Sequence, residues 1–548
     1  MNTSKTLNKQ LLFLILAVFI FISVIVIDYR INGDTYFENT IITENKLEQL
    51  LSSREYTDTP IVTELYFDDQ PLIYDLDDNT FYCSSIENQD FTTITTGKSL
   101  ENSLLQVLGI DYINVGYLPD SGQLIQYSHN KISISNLVFT TLPILNISIS
   151  SETVKELGLD ETYYIESYTS AELYLYDNSS DFDGVSRITS SPIKLHARGG
   201  TTIGAPQKSY RISLLSDATD HSSKNKVSLL GLREDEDWIL YSPYSDYEKV
   251  RNVFAMNLWK EMAESNNEWN ASPYTEYRFV EVFFNNNYHG LYAIAYPIDK
   301  KQFSITDGES LFKKKDWSQT EFSLDLEYTD SGEGDGYYWL PGYSLEYGNV
   351  DSFTQLHDLY YTMAYSDDPA AIRDTVDMGN AIDLYLLYQM TQAVDNLYTT
   401  NVKNLLVATK KSDVSYGYKL LFAPWDMDQI LGNRFVDGEG SHGISSYANS
   451  PDYSLPIAWS PVYFLNEKGD KTISSEVSNR YHTLRRTIWS DDHINQLIDI
   501  YEADIYGSGA FERTMVRWSD GNYYDIDKQL EDFRNYTIER LHIMDELY

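Results

Sequence analysis

Apolar and polar residues alternate along several short segments between residues 137 and 305, which is the pattern of half-buried strands. The clearest cover residues 145–149, 172–176, 193–196, 210–214, 279–284 and 291–296. The last two flank a turn-rich connection, Asn-Asn-Asn-Tyr-His-Gly, which predicts a hairpin. One helix interrupts the series, because apolar residues recur every four positions from Val250 to Met262. We therefore predict a β-rich lobe with a single helix over residues 136–305.

After about residue 305 the apolar spacing becomes helical. Segments 353–365, 382–394, 477–488 and 530–544 are amphipathic with a helical period. A β-rich lobe followed by an α-rich lobe, residues 306–548, predicts an α+β fold with a cleft where the lobes meet, and ligands commonly bind in such clefts. Residues 31–135 are polar, acidic and weakly patterned, so we predict a stalk or accessory region there.

The N-terminus carries the longest apolar run. Residues 11–27 are apolar except for Ser23, and Lys5 and Lys9 precede them. The length suits a membrane span, and no small-residue cleavage site follows, so we favour an uncleaved anchor over a signal peptide. Basic residues before the run and acidic residues after it place the N-terminus inside. These features predict a short cytoplasmic tail and transmembrane helix in residues 1–30, with a large domain outside the cytoplasm.

Composition narrows the classes of partner. The chain has 82 acidic and 41 basic residues, a net charge of −41, so it would repel nucleic acid. The same charge would suit basic protein partners, but a charge this diffuse is more often a solvated acidic surface, and we favour that interpretation. The single cysteine, Cys83, excludes internal disulfides and any zinc site built from several cysteines.

Two aspartates follow the strongest apolar run of the C-terminal half. Residues 419–424 end at Pro424, which tends to close a strand, and Asp426 and Asp428 come directly after. On an extended backbone both carboxylates point the same way, and two like charges so close need a cation or a shared proton. Mg²⁺ suits such a pair, because it takes few protein carboxylates and leaves room for phosphate oxygens. The alternative is that both aspartates only end the strand through local hydrogen bonds.

Further upstream, Asp395 precedes Lys403 and Asn404, an acid followed by a base and an amide. This set suits a site that positions a hydroxyl, a metal and a phosphate together, which indicates phosphoryl transfer.

A glycine-rich loop in the β-rich part adds candidates for phosphate binding. Arg198, Gly199, Gly200 and Thr201 join two predicted strands, and glycines let backbone N–H groups approach an anion closely. Lys208 follows at the head of the next strand. A simple Gly-Gly hairpin and a surface lysine are the alternatives. On the predicted helix, Arg251 and Asn252 could face the cleft or serve packing.

Five ordered blocks, together, resemble the spore-coat-protein CotH kinase family, a group of atypical protein kinases. They cover residues 198–202 with 206–212, 244–254, 280–292, 403–404 and 424–432. The resemblance implies a kinase-like two-lobed fold and the use of ATP with Mg²⁺ or Mn²⁺. It also implies transfer of the γ-phosphate to Ser or Thr of a protein. Together with the acidic charge of the chain, this suggests a basic envelope or coat protein as the acceptor.

The resemblance also implies roles for the candidates. The 198–204 loop would cover the phosphates, and Lys208 would pair with them and assist transfer, beside Lys403 and Asn404. Asp395 would be the catalytic or metal-binding acid, and Asp426 and Asp428 would hold metal with Asn404. Which aspartate is the general base stays open. The rival hypothesis is a non-catalytic, adhesin-like surface protein with the same fold.

Overall fold

The computed structural model describes most of the chain from residue 41 onward. Outside the described residues lie 1–40, 68–69, 85–93, 96–112, most of 151–167, 178–187, 265, 319–324, 330–335, 439–440, 446, 456 and 519–524.

The first described region is a small α/β unit. Helix α1, Glu44–Ser53, begins at the N-cap Thr43, whose hydroxyl accepts a hydrogen bond from the Lys46 N–H. A sheet of order β4-β5-β9-β8-β7, with β1 paired in parallel to β9, lies beside it, and β2, β3 and β6 form a second sheet. The strands are β1 Glu55–Thr57, β2 Tyr66–Phe67, β3 Gln70–Pro71, β4 Ile73–Asp75, β5 Thr80–Ser84, β6 Ile94–Thr95, β7 Asn114–Leu118, β8 Gln123–Tyr127 and β9 Lys131–Thr140.

A closed seven-stranded barrel follows. Its order is β10-β11-β12-β13-β14-β16-β15, and a parallel pairing of β10 with β15 closes it. The strands are β10 Ile144–Ser148, β11 Thr169–Tyr176, β12 Ile188–Arg198, β13 Ser209–Leu214, β14 Asp237–Tyr241, β15 Tyr277–Phe284 and β16 Asn287–Ala295. Alternate residues fill its interior, for example Tyr210 and Ile212 of β13 and Val280 and Val282 of β15. All six strands predicted from alternation overlap strands of this barrel.

Helix α2, Arg251–Ala263, packs on the outside of the barrel. Its Phe254 and Leu258 share a core with Phe279 of β15 and with the C-terminal helices. The helix is therefore buried between the barrel and the rest of the chain.

The remaining chain combines helices with short sheets. The helices are α3 Ser352–Tyr365, α4 Pro369–Arg373, α5 Met378–Thr391, α6 Pro461–Glu467, α7 Ile473–Arg485, α8 Asp491–Tyr501, α9 Ala510–Arg517 and α10 Ile526–Asp545, with a π-helix at Glu502–Gly507. The strands are β17 Ser310–Lys314, β18 Glu327–Thr329, β19 Tyr337–Trp339, β20 Tyr343–Tyr347, β21 Leu397–Tyr398, β22 Asn401–Val402, β23 Leu405–Lys411, β24 Tyr418–Pro424, β25 Arg434–Gly438 and β26 Ser441–Ser445.

The predicted α+β division into a β-rich and an α-rich lobe is wrong. The chain is a mixed α/β protein with a closed barrel and several further sheets, and an antiparallel sheet of order β20-β17-β23-β24 lies in the region predicted to be helical. The reason is burial, because β23 and β24 are covered on both faces and read as continuous apolar runs without alternation.

The predicted transmembrane helix, residues 11–27, lies outside the described residues. Within the part of the chain that the structure describes, no helix is long and apolar enough to cross a membrane. The predicted single-pass localisation, with its extracytoplasmic domain, is not supported and is not retained.

Candidate active site

A cleft of about 720 Å³ lies between the barrel and the β20-β17-β23-β24 sheet. Its charged lining residues are Arg198, Lys313, Lys315, Asp316, Asp395, Lys403, Asp426 and Asp428. A second cavity, of about 520 Å³ beside the N-terminal sheet, has Glu64 as the single charged residue among its described lining residues. A third cavity, of about 670 Å³, is also lined by acids and bases, among them Asp77 and Arg517. The 720 Å³ cleft is the one that gathers Asp395, Asp426 and Asp428.

Asp426 and Asp428 both line this cleft, but not through an extended backbone. Strand β24 ends at Pro424, and Asp426 has φ of 59°, a left-handed conformation that Asp tolerates better than most residues. Asp426 is exposed in the cleft, whereas Asp428 is 6 % exposed. The turn, rather than strand alternation, brings the two carboxylates to one site.

Hydrogen bonds fix Asp428 in place. Its carboxylate accepts a hydrogen bond from the Ser245 hydroxyl, and its backbone oxygen accepts one from Asn433 Nδ2 at 2.9 Å. Burial raises the pKa of the Asp428 carboxyl well above its ordinary value, and the charge of Asp426 raises it further. A cation beside the pair would remove this penalty on the ionised form.

Asp395, Lys403 and Asn404 meet as the sequence predicts. Lys403 Nζ lies 2.8 Å from one carboxylate oxygen of Asp395, and Asn404 Nδ2 donates to the other at 3.1 Å. Burial raises the pKa of Asp395, although Lys403 opposes the rise. Asn396 Nδ2 joins this loop to the end of β24 by donating to the Trp425 oxygen at 2.8 Å.

The opposite wall of the cleft carries three bases, Arg198, Lys313 and Lys315. Arg198 at the end of β12 and Lys313 on β17 each lie 5.4 Å from the centre of the Trp425 ring. Among the described residues, neither these two nor Lys315 forms an ion pair. Burial lowers the pKa of Lys313 to about 8, and the charge of Arg198 contributes to the shift. Cation–π contacts hold the two bases without neutralising them.

The glycine-rich loop lies at the cleft. Gly199 and Gly200 line it, and Gly199 has φ of 140°, which side-chain-bearing residues rarely adopt. A Cβ at Gly200 would meet nothing within 4 Å, so the backbone there borders open space. Thr201 begins the 3₁₀ turn Thr201–Gly204 that follows.

The structure does not bring Lys208 to the cleft. The residue is 1 % exposed, and its Nζ donates to the Ala205 oxygen at 3.0 Å. Successive side chains of a strand point to opposite faces, so Lys208 lies on the same face as Tyr210 and Ile212, which point into the barrel. Ser209 lies on the other face and lines the cleft. Burial lowers the pKa of Lys208.

Of the two neighbours on helix α2, Arg251 serves packing and Asn252 faces the cleft. Arg251 is fully buried and pairs with Asp246 at 2.5 Å and with Glu248, so it supports the loop that carries Ser245. Asn252 lines the cleft, and its Oδ1 accepts from the Met427 N–H at 2.9 Å. It thereby holds the residue between the two aspartates.

Sequence reasoning missed Lys313, Lys315, Tyr241 and the role of Trp425. One signal was available, because residues 313–315 are three consecutive lysines in a chain with twice as many acids as bases. Nothing in the local pattern shows that β17 places them opposite Asp395 and Asp426.

The carboxylate and amide oxygens of the cleft suit a hard divalent cation whose remaining ligands come from phosphate. In the described part of the chain, no three His, Cys, Asp or Glu side chains are close enough to hold a metal by themselves. Mg²⁺ commonly uses one or two carboxylates and completes its shell with phosphate and water. Asp426 and Asp428, with the amide of Asn404 on the same cleft, fit that requirement.

The family model described as CotH kinase protein matches residues 195–544, more than half of the chain. The chain belongs to the CotH kinase family. The matched region begins within β12 and includes every charged residue of the cleft, so a kinase-like function follows from family and site together. No curated protein matches the chain.

Proposed function

We propose that this CotH kinase family member transfers the γ-phosphate of ATP to Ser or Thr residues of a protein. One observation carries the proposal: in a single cleft, bases that form no ion pair with any described residue face carboxylates that are already positioned. In a chain with a net charge of −41, bases left unpaired in a cleft call for an anionic ligand.

The basic wall would bind the triphosphate. Arg198 and Lys313 present charge at the Trp425 ring, and Lys315 adds a third base. Gly200 leaves room for phosphate oxygens beside the backbone. Lys313, rather than Lys208, takes the part of the phosphate-binding lysine in this proposal.

The acidic wall would hold the metal. Asp426 and Asp428 supply carboxylate oxygens, and Asn404 supplies an amide on the same cleft. Mg²⁺ or Mn²⁺ bound there would neutralise charge that develops on the phosphate oxygens.

Asp395 would act on the acceptor hydroxyl. A carboxylate with a raised pKa is better matched to proton transfer near neutral pH than an ordinary aspartate. Lys403 and Asn404 fix both of its oxygens, so the hydroxyl needs only to be aligned with it.

The acceptor would be a basic protein, for example of a cell envelope or spore coat. The strong negative charge of the chain favours approach of such a partner, and the family suggests this class of substrate.

The test is incubation of the full-length protein with γ-labelled ATP, Mg²⁺ or Mn²⁺ and a basic Ser-rich protein. We expect metal-dependent label on Ser or Thr and a higher melting temperature with ATP and Mn²⁺. Absence of both would contradict the proposal. Nucleotide stabilisation without any transfer would favour a non-catalytic binding protein instead.

A further inference from the structure

One buried hydroxyl in the cleft has no hydrogen-bond partner in the part of the chain that the structure describes. Tyr241, the last residue of β14, lines the cleft, and its phenolic oxygen is buried without a partner among the described residues. Its neighbours Trp238 and Leu240 belong to the barrel core, so alternation turns Tyr241 outward, where its ring meets Tyr277 edge-on at 5.9 Å. Buried polar groups in native proteins are almost always satisfied, so this hydroxyl needs an explanation.

The surroundings of Tyr241 identify it as a donor near the metal-binding end of the cleft. Burial raises the pKa of the phenol well above its ordinary value, and the charges of Asp428, Asp246 and Asp426 add to the rise. The group therefore keeps its proton and can donate throughout the working pH range. Asp428 and Asp426, the pair that we place at the metal, line the same cleft as Tyr241 and are two of these three acids. We therefore place the hydroxyl at the phosphate end of the ligand rather than beside a nucleotide base.

We infer that the Tyr241 hydroxyl donates a hydrogen bond to a phosphate oxygen of the ligand bound in this cleft. The inference rests on the proposed function, because it takes the triphosphate to be that ligand. It makes Tyr241 a specificity-determining residue that reads phosphate through a neutral donor, beside the charged contacts of Arg198 and Lys313. Since the contact needs only phosphate, it does not depend on the base or sugar.

The chain offers a matched control for removal of this oxygen. Tyr292 lies in the barrel core, and among the described residues its buried hydroxyl also makes no hydrogen bond within the distance and angle limits. Tyr241→Phe and Tyr292→Phe therefore make the same chemical change, one in the cleft and one outside it. Because each removes an unsatisfied polar atom, neither is expected to lower the melting temperature of the ligand-free protein.

Titration calorimetry with two probes, Mn²⁺ plus tripolyphosphate and Mn²⁺ plus ATP, tests the inference. We expect Tyr241→Phe to weaken both by roughly tenfold to a hundredfold, the range for a hydrogen bond to a charged group. Tyr292→Phe is expected to bind both as the wild type does. Equal losses for the two probes would locate the contact on phosphate, whereas a loss confined to ATP would overturn that assignment.

The outcomes separate this inference from the proposed function. If wild-type protein binds neither probe, the kinase proposal itself fails. If wild-type protein binds both and Tyr241→Phe binds them equally well, the proposal stands and the role of Tyr241 is refuted. Should Tyr241→Phe fail to fold, a structure of the wild type with Mn²⁺ and tripolyphosphate decides, and a Tyr241 hydroxyl away from every phosphate oxygen would refute the contact.

Discussion

The two walls of the cleft differ in how their charged side chains are held, one carrying the acids and the other the bases. On the acidic wall, Asp395 is held by Lys403 and Asn404, and Asp428 accepts a hydrogen bond from Ser245. On the basic wall, Arg198 and Lys313 contact the Trp425 ring and no acid among the described residues.

This difference indicates a division of work. Carboxylates that must hold a metal or align a hydroxyl are positioned in advance by donors, because catalysis depends on geometry that is already in place. Bases that must bind an incoming anion would be weakened by an acidic partner, so an aromatic ring holds them instead. Substitutions on each wall should therefore affect different steps.

The largest effect is expected on the acidic wall. Asp428→Asn keeps the shape of the side chain but removes a charge that would balance the metal, so we expect at least a roughly hundredfold loss of transfer with the fold intact. The measurement is the initial rate with labelled ATP, and Asp413→Asn, at an exposed position away from the cleft, is the control. A rate within a few-fold of the wild type would mean that Asp428 serves only the local hydrogen bonds of this turn.

The second prediction compares the effects of removing Lys313 and Lys208 on nucleotide affinity. Lys313→Met removes a base from the cleft, and we expect nucleotide affinity to fall by roughly tenfold to a hundredfold. Lys208→Met removes a base from the barrel side, and we expect affinity to change by less than about twofold. Calorimetric Kd values for ATP with Mn²⁺ provide the comparison. If the Lys208 variant loses more affinity than the Lys313 variant, the basic wall is assigned wrongly.

The third prediction concerns pH on the basic wall. The pKa of Lys313 is about 8, so its charge is present below that value and is lost as the pH rises through it. We expect nucleotide affinity to decline from about pH 8 upward, by roughly tenfold for the loss of one charged contact. Lys313→Arg keeps its charge and should move the decline to higher pH. An unchanged profile in Lys313→Arg would show that another group titrates.

The smallest effect is expected for the metal-free protein. The pKa of Asp428 is raised by folding, so the folded state binds this proton more tightly than the unfolded state. Its contribution to stability is present at acidic pH and is lost as the pH rises above the ordinary carboxylate range, about 4. Melting curves without metal should therefore fall less steeply with pH in Asp428→Asn than in the wild type, and Mn²⁺ with ATP should reduce the difference. Parallel curves in both proteins would contradict the shift.

Different parts of the fold were predictable to different degrees. The barrel strands were visible in the sequence, because each has one face in the core and one outside and therefore alternates. Of the sheet beside the cleft, the sequence showed only β24, as an apolar run that ends at Pro424. β23 was not recognised, because it is buried on both faces, and a continuous apolar run does not distinguish a buried strand from a buried helix.

The candidate site divides in the same way. Asp395 meets Lys403 and Asn404 through one short loop, and Asp426 and Asp428 are two residues apart, so their proximity is local and could be predicted. The predicted reason was partly wrong, since Asp426 adopts a left-handed conformation rather than an extended one. Lys208 was chosen from its position after a glycine-rich loop, which says nothing about the side of the strand on which it lies.

By itself, the sequence determined the acidic character of the chain, the barrel strands, the family and the local clusters of acids, because these depend on composition, periodicity or residues near each other in the chain. The tertiary structure alone decided which bases face those acids. Lys313 reaches the cleft because β17 pairs with β23 and β20, and Arg198 reaches it because β12 ends there. The proximity of these bases to the acids depends on strand pairing between segments that are distant in the chain, and no local sequence pattern encodes it.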